Sequence, residues 1–165
     1  MGLFRLIVPS VVSCFFALSV FAQEAEVKVS LSPAGSFVGK TKDVKGFAES
    51  NGSTYTAKNI VVGLSSLETG ISLRDQHTKD HLDVKTYPEA KLISATGKDG
   101  KGTGTIEIRG VQKPIEGTYK IEGSTLIAQF SVNFPDFNIK GIRYAGLGVK
   151  DKGTITVKIP VKAAK

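Results

Sequence analysis

Residues 114–134, PIEGTYKIEGSTLIAQFSVNF, alternate with a period of two. Ile115, Gly117, Tyr119 and Ile121 take one phase; Glu116, Thr118, Lys120 and Glu122 take the other. Successive strand side chains point to opposite faces, so this pattern describes a strand with one face dry and one face wet. Gly123-Ser124 then leads into a second run in which Leu126, Ala128, Phe130, Val132 and Phe134 face one way. Two such runs joined by a two-residue glycine turn predict an antiparallel hairpin.

The same pattern extends in both directions. In Glu24 to Leu31 every odd position is apolar and every even one polar, and Pro33-Ala34-Gly35 turns the chain. Phe37 to Gly39 and Val44 to Glu49 are weaker strand candidates, and Asn51-Gly52 predicts a type I′ hairpin turn into a long strand, Thr54 to Leu64. Ala90 to Thr96, a turn within Gly97 to Gly102, and Thr103 to Arg109 follow. The last strand sets Ile155, Val157, Ile159 and Val161 against Thr156, Lys158 and Lys162. Short strands at regular spacing, without repeats or a low-complexity linker, predict one all-β antiparallel domain, a sandwich or a barrel. Long strands with large inward aromatics favour a barrel of about eight strands, which holds either packed side chains or one small ligand.

The N-terminus is of another kind. Met1 to Arg5 carries one positive charge, Leu6 to Phe21 is apolar, and Ser19 to Ala22 supplies small residues. This is the pattern of a secretory signal peptide, residues 1–22, cut after Ala22. The apolar run is shorter than the ~20 residues of a bilayer span. Val11 to Cys14 is a poor lipoprotein box, because Phe15, Phe16 and Leu18 follow the cysteine where a polar tether is expected. The domain then occupies residues 23–165, and Cys14, the single cysteine of the chain, leaves with the signal. Without Arg5 the net charge of +7 becomes +6. No basic run is interleaved with aromatics and tryptophan is absent, so nucleic acid is not an expected partner. A basic surface does imply weak attraction to anionic membrane surfaces.

One stretch breaks the strand pattern: Leu67 to Ala90, LETGISLRDQHTKDHLDVKTYPEA, which holds both histidines, His77 and His81. Thr69-Gly70 ends the preceding strand, and Ser72 is placed to cap a short helix near residues 71–83. Asp75, three residues on, would reach back as in a capping box. Arg74 and His77, like His77 and His81, would share a helix face, and Pro88 stops any helix by Tyr87. Three readings stay open. Arg74, Asp75 and His77 form a hydrogen-bonded anchor, or they contact a ligand's polar head, or His77 and His81 hold a metal with Asp80 or Asp83. The metal reading lacks a third histidine or a cysteine, and Thr78 stands where a zinc protease needs glutamate. Hydrolysis by Ser66, His77 and Asp75 lacks a nucleophile elbow, so no catalytic residue is assigned.

Leu67-Glu68-Thr69-Gly70, Arg74-Asp75-Gln76-His77, Leu82-Asp83 and Tyr87-Pro88-Glu89-Ala90 resemble the signature of YceI-like proteins. Gly110-Val111-Gln112-Lys113-Pro114, Asp136 to Lys140 and Gly146 to Val157 continue the resemblance in the family's order, though the stretch from His77 to Tyr87 is slightly shorter. The resemblance implies a lipocalin-like barrel in the bacterial periplasm, compatible with a homodimer. It also implies a long amphiphile, a polyisoprenoid, fatty acid or fatty amide, held inside, with no cofactor. On that reading the cavity residues are Tyr119, Ile121, Phe130, Val132, Phe134 and Ile155, with Phe137 and Ile139 closing the mouth near Gly141, Gly146 and Gly148. A filled barrel would pack the same residues against one another, each burying ~1.5–3 kcal/mol.

Overall fold

The computed structural model describes residues 22–164, and the signal segment read at 1–22 lies, but for Ala22, outside the described residues. Eleven strands and one α-helix follow in chain order: β1 (Glu24–Ser32), β2 (Ser36–Thr41), β3 (Val44–Lys45), β4 (Ala48–Asn51), β5 (Thr54–Gly63), α1 (Ser72–His81), β6 (Glu89–Lys98), β7 (Lys101–Ile108), β8 (Val111–Glu122), β9 (Thr125–Asn133), β10 (Arg143–Tyr144) and β11 (Leu147–Ala163). A 3-10 turn, Phe134–Phe137, follows β9. The quoted stretch is β8, its turn and β9, and β8 alternates half-buried and exposed along its whole length.

The sheet closes. β4 to β9 pair in sequence, β9 pairs with β11, and β11 returns to β4, so seven strands form the ring. The difference from the expected eight lies in β11. Its 17 residues are long enough to pair with β9 along one edge and with β1 and then β4 along the other. The β1–β2 hairpin is laid against that second edge. One pairing is parallel, β11 with β4 over Val161 to Ala163. There β11 has run past the start of β1, and β4 takes up backbone groups that would otherwise be left at an open edge.

Turn chemistry differs from expectation at the first hairpin. Asn51 pairs with Thr54 as the last residue of β4, and within the turn positive φ falls on Gly52 alone, the type II′ pattern. The turns with two successive positive φ values are Asp99-Gly100, Arg109-Gly110 and Ala145-Gly146. Two strands also change phase midway. Asn59, at φ 52°, faces Ile93, and the ladder skips both. The β6–β7 register shifts at the same place, between Leu92 and Ser94. As a result Tyr55 and Ala57 point inward together with Ile60 and Val62, and Ala95 and Gly97 together with Ala90 and Leu92.

Candidate functional site

Inward side chains from all seven ring strands, with Ala25 and Val27 of β1, enclose a cavity of about 210 Å³. The end bearing the Gly52, Asp99-Gly100 and Gly123 turns is lined by small residues, Ala48, Ala57, Ala95, Gly97, Gly102 and Ala128 among them. Tyr55 and Tyr119 stand there edge to face, with ring centroids 5.4 Å apart. The Tyr119 ring lies over Gly97, where a Cβ would come within 2.6 Å of it. The other end is walled by larger groups, Phe130, Val132, Phe134, Ile139 and Leu82. Glu26, Lys91 and Glu107 also border the cavity, but each lies between two inward residues, so its side chain points outward and it contributes backbone. The lining is therefore aliphatic and aromatic, with the buried Thr41 beside Ala25 and no inward charge.

Of the residues expected to line a cavity, Tyr119, Phe130, Val132, Phe134, Ile139 and Ile155 do so. Ile121 packs instead on the buried cluster of Leu126 and Ile159 beyond the tyrosine end. Phe137 is buried in the 3-10 turn, packed with Ile106, Ile108, Val132 and Ile139. Alternation had not pointed to Tyr55, Ala57, Ala95 or Gly97, because the phase change at Asn59 and Ile93 hides them. The signal available in the sequence was the run of alanine and glycine at inward positions.

The insert is built around Thr69 rather than around the expected helix cap. α1 starts at Ser72, its N-cap residue is Ile71, and no side chain caps it. Asp75 does reach back, but to Thr69: its carboxylate accepts the Thr69 N–H at 2.6 Å and the Thr69 hydroxyl proton. The Arg74 Nε donates to the same hydroxyl oxygen at 3.0 Å, and Nη2 donates to the Thr69 carbonyl at 2.6 Å. These contacts satisfy the backbone and side chain of a buried threonine where β5 has ended. The Thr69 hydrogen bonds, the hydroxyl first, hold the Asp75 carboxyl below the ordinary carboxylate value, with smaller help from Lys79 and Arg74.

Arg74 also lies across two rings. Its guanidinium carbon is 4.6 Å from the Phe37 centroid and 5.3 Å from that of Tyr144. It thereby joins α1 to β2 and to the β10–β11 hairpin. Neither Arg74 nor Asp75 borders the cavity. His77 is exposed and His81 half-buried, and neither joins the Thr69 cluster. Among the described residues no three histidine, aspartate, glutamate or cysteine side chains come together as a metal site.

A second hollow of about 250 Å³ adjoins the cavity, and Phe134 and Ile139 line both. Its remaining walls come from residues 141–143 and 148–151.

Comparison with known proteins agrees with this architecture. The sequence profile of the YceI-like domain matches residues 19–161. A UPF0312 protein of Pseudomonas savastanoi pv. phaseolicola is 36% identical over 140 residues, covering 72% of this chain and 73% of the relative. One of Pseudomonas putida has the same identity and coverage. Among solved structures, Burkholderia cenocepacia BcnA superposes with a TM-score of 0.60 at 16% identity, over 81% of this chain and 94% of that one. A polyisoprenoid binding domain from Saccharophagus degradans, implicated in plant cell wall breakdown, gives 0.56 at 14% identity, over 84% and 92%. With a closed barrel, an internal apolar cavity and a profile match over residues 19–161, the chain belongs to the YceI-like family.

Proposed function

We propose that this protein binds a long-chain amphiphile, a polyisoprenoid, fatty acid or fatty amide, in the barrel cavity and sequesters or carries it without catalysis. The observation that carries the reading is the cavity itself: a closed ring of strands whose inward faces leave about 210 Å³ open and present no charge. At ~30 Å³ per water-sized group a void of this size holds roughly seven, and a methylene is close to a water in size. At ~0.8 kcal/mol per methylene, about seven of them contribute ~6 kcal/mol gross. Association costs of ~4 kcal/mol or more offset most of this, so a tightly held long chain must bury further methylenes beyond the enclosed space. The Saccharophagus degradans domain, named for polyisoprenoid binding, lends support from the same fold.

The place of action we propose is the periplasm, after cleavage following Ala22, where water is a poor solvent for such a chain. Native mass spectrometry of the protein purified from its own periplasm tests both parts. The expected result is a mass beginning at Gln23 with a long-chain compound bound. Protein that carries no such compound and takes up neither palmitate nor farnesol would overturn the binding reading.

A further inference from the structure

An amphiphile with its tail in the cavity needs a place for its head, and the insert does not offer one. The Arg74 guanidinium is committed to Thr69 and to the Phe37 and Tyr144 rings, and His77 is exposed away from that cluster. The neighbouring hollow does offer a place. It adjoins the cavity, and Phe134 and Ile139 line both.

Its charged residues are Arg143, Lys150 and Asp151, a balance of two positive charges against one negative. Among the described residues, neither Arg143 nor Lys150 makes an ion pair. The β10–β11 hairpin that carries Arg143 turns through Ala145-Gly146 and is held by Tyr144 against Arg74. Arg143 and Lys150 are thus both carried by the β10–β11 hairpin.

We infer that this hollow is a head-group subsite for an anion, a carboxylate or a phosphate, on the chain held in the cavity, so that the ligand is an anionic amphiphile. The inference rests on the chain-binding reading above. It assigns Arg143 and Lys150 as the residues that discriminate between heads. A cation facing carboxylate or phosphate oxygens forms charge-assisted hydrogen bonds that a neutral alcohol cannot match. Phe134 and Ile139 then grip the chain at the point where it passes from oil to water.

The test is displacement of a neutral fluorescent alkyl probe from the mature protein at low salt, using palmitate against hexadecanol and farnesyl phosphate against farnesol. The acid of at least one pair is expected to displace the probe at about tenfold lower concentration than its alcohol. Which pair shows the larger ratio tells carboxylate from phosphate. The ratio is expected to fall to near unity in the Arg143→Gln, Lys150→Gln double variant, through loss of affinity for the acid. It is expected to persist in Lys98→Gln, Lys120→Gln, which removes the same charge at the opposite end of the barrel. Equal binding of acid and alcohol by the unaltered protein, or a ratio that survives the double variant, would overturn the inference while leaving chain binding intact. Failure of the probe and of all four compounds to bind would instead remove the chain-binding reading on which it rests.

Discussion

Tyr119 and Gly97 show how single residues shape the cavity. A methyl group on Gly97 would lie 2.6 Å from the Tyr119 ring, so Gly97→Ala must displace a side chain already braced by Tyr55. Overpacking of this kind costs about 1–3 kcal/mol, readable as a lower urea midpoint. Tyr119→Ala acts in the opposite sense on the cavity, opening its small-residue end. It is expected to lengthen the chain that native mass spectrometry finds retained from a mixture of C12 to C20 acids. An unchanged length profile would show that Tyr119 is not the floor. Asp75 sets a different limit. Its folded-state value is depressed, so its contribution is present above the unfolded carboxylate value of about 3.9 and is lost as pH falls through the folded value. Amide exchange in residues 72–81 is therefore expected to quicken below about pH 4, ahead of the barrel strands. In Asp75→Asn the same quickening should already be present at pH 7.

At the scale of elements, α1 is held without an apolar face. None of its residues is buried, and Ile71 and Leu73 are exposed. Its attachment is the Thr69 cluster together with the Arg74 contacts to Phe37 and Tyr144. Arg74→Ala is thus expected to raise hydrogen exchange in two separate segments, 72–81 and 143–148, and to leave β5 to β9 protected. Lysine at this position should not restore protection, because only the planar fork can bond Thr69 twice while lying across two rings. The sequence places this helix correctly because Thr69-Gly70 and Pro88 bound it, yet it misplaces the cap. Ser72 has the right chemistry for a cap but is itself the first helical residue, and the chemistry of the cluster comes from Thr69, three residues earlier. Hairpin turns are legible from glycine positions, but the turn type depends on which residue pairs last. That is why Asn51 ends a strand while Asp99 and Arg109 enter their turns.

The fold of the whole molecule is legible because alternation survives over most of the long strands β1, β8 and β9 and the second half of β11, and the YceI-like signature orders the rest. Whether the interior is filled or open is harder to read. Alternation says which side chains face inward, not whether their volumes sum to the space enclosed, and the paired phase change at Asn59 and Ile93 conceals several of the small ones. Ala95 and Ala128 both face the cavity and yet are only half-buried, so part of the surface they retain belongs to the cavity wall. That observation separates a binding barrel from a structural one. In a filled barrel, Ala128→Leu would overpack and cost about 1–3 kcal/mol. Here the added methylenes have open space to enter, and each gains about 0.8 kcal/mol on leaving water. Ala95→Leu and Ala128→Leu are therefore expected to raise the melting temperature of the ligand-free protein while weakening uptake of a long-chain acid by tenfold or more, about 1.4 kcal/mol. Calorimetry on the ligand-free variants checks the first effect and probe displacement the second. A variant that lost stability and kept its affinity would mean that these alanines face packed neighbours, because enlarging a wall residue can strengthen the barrel at the ligand's expense only where space is waiting.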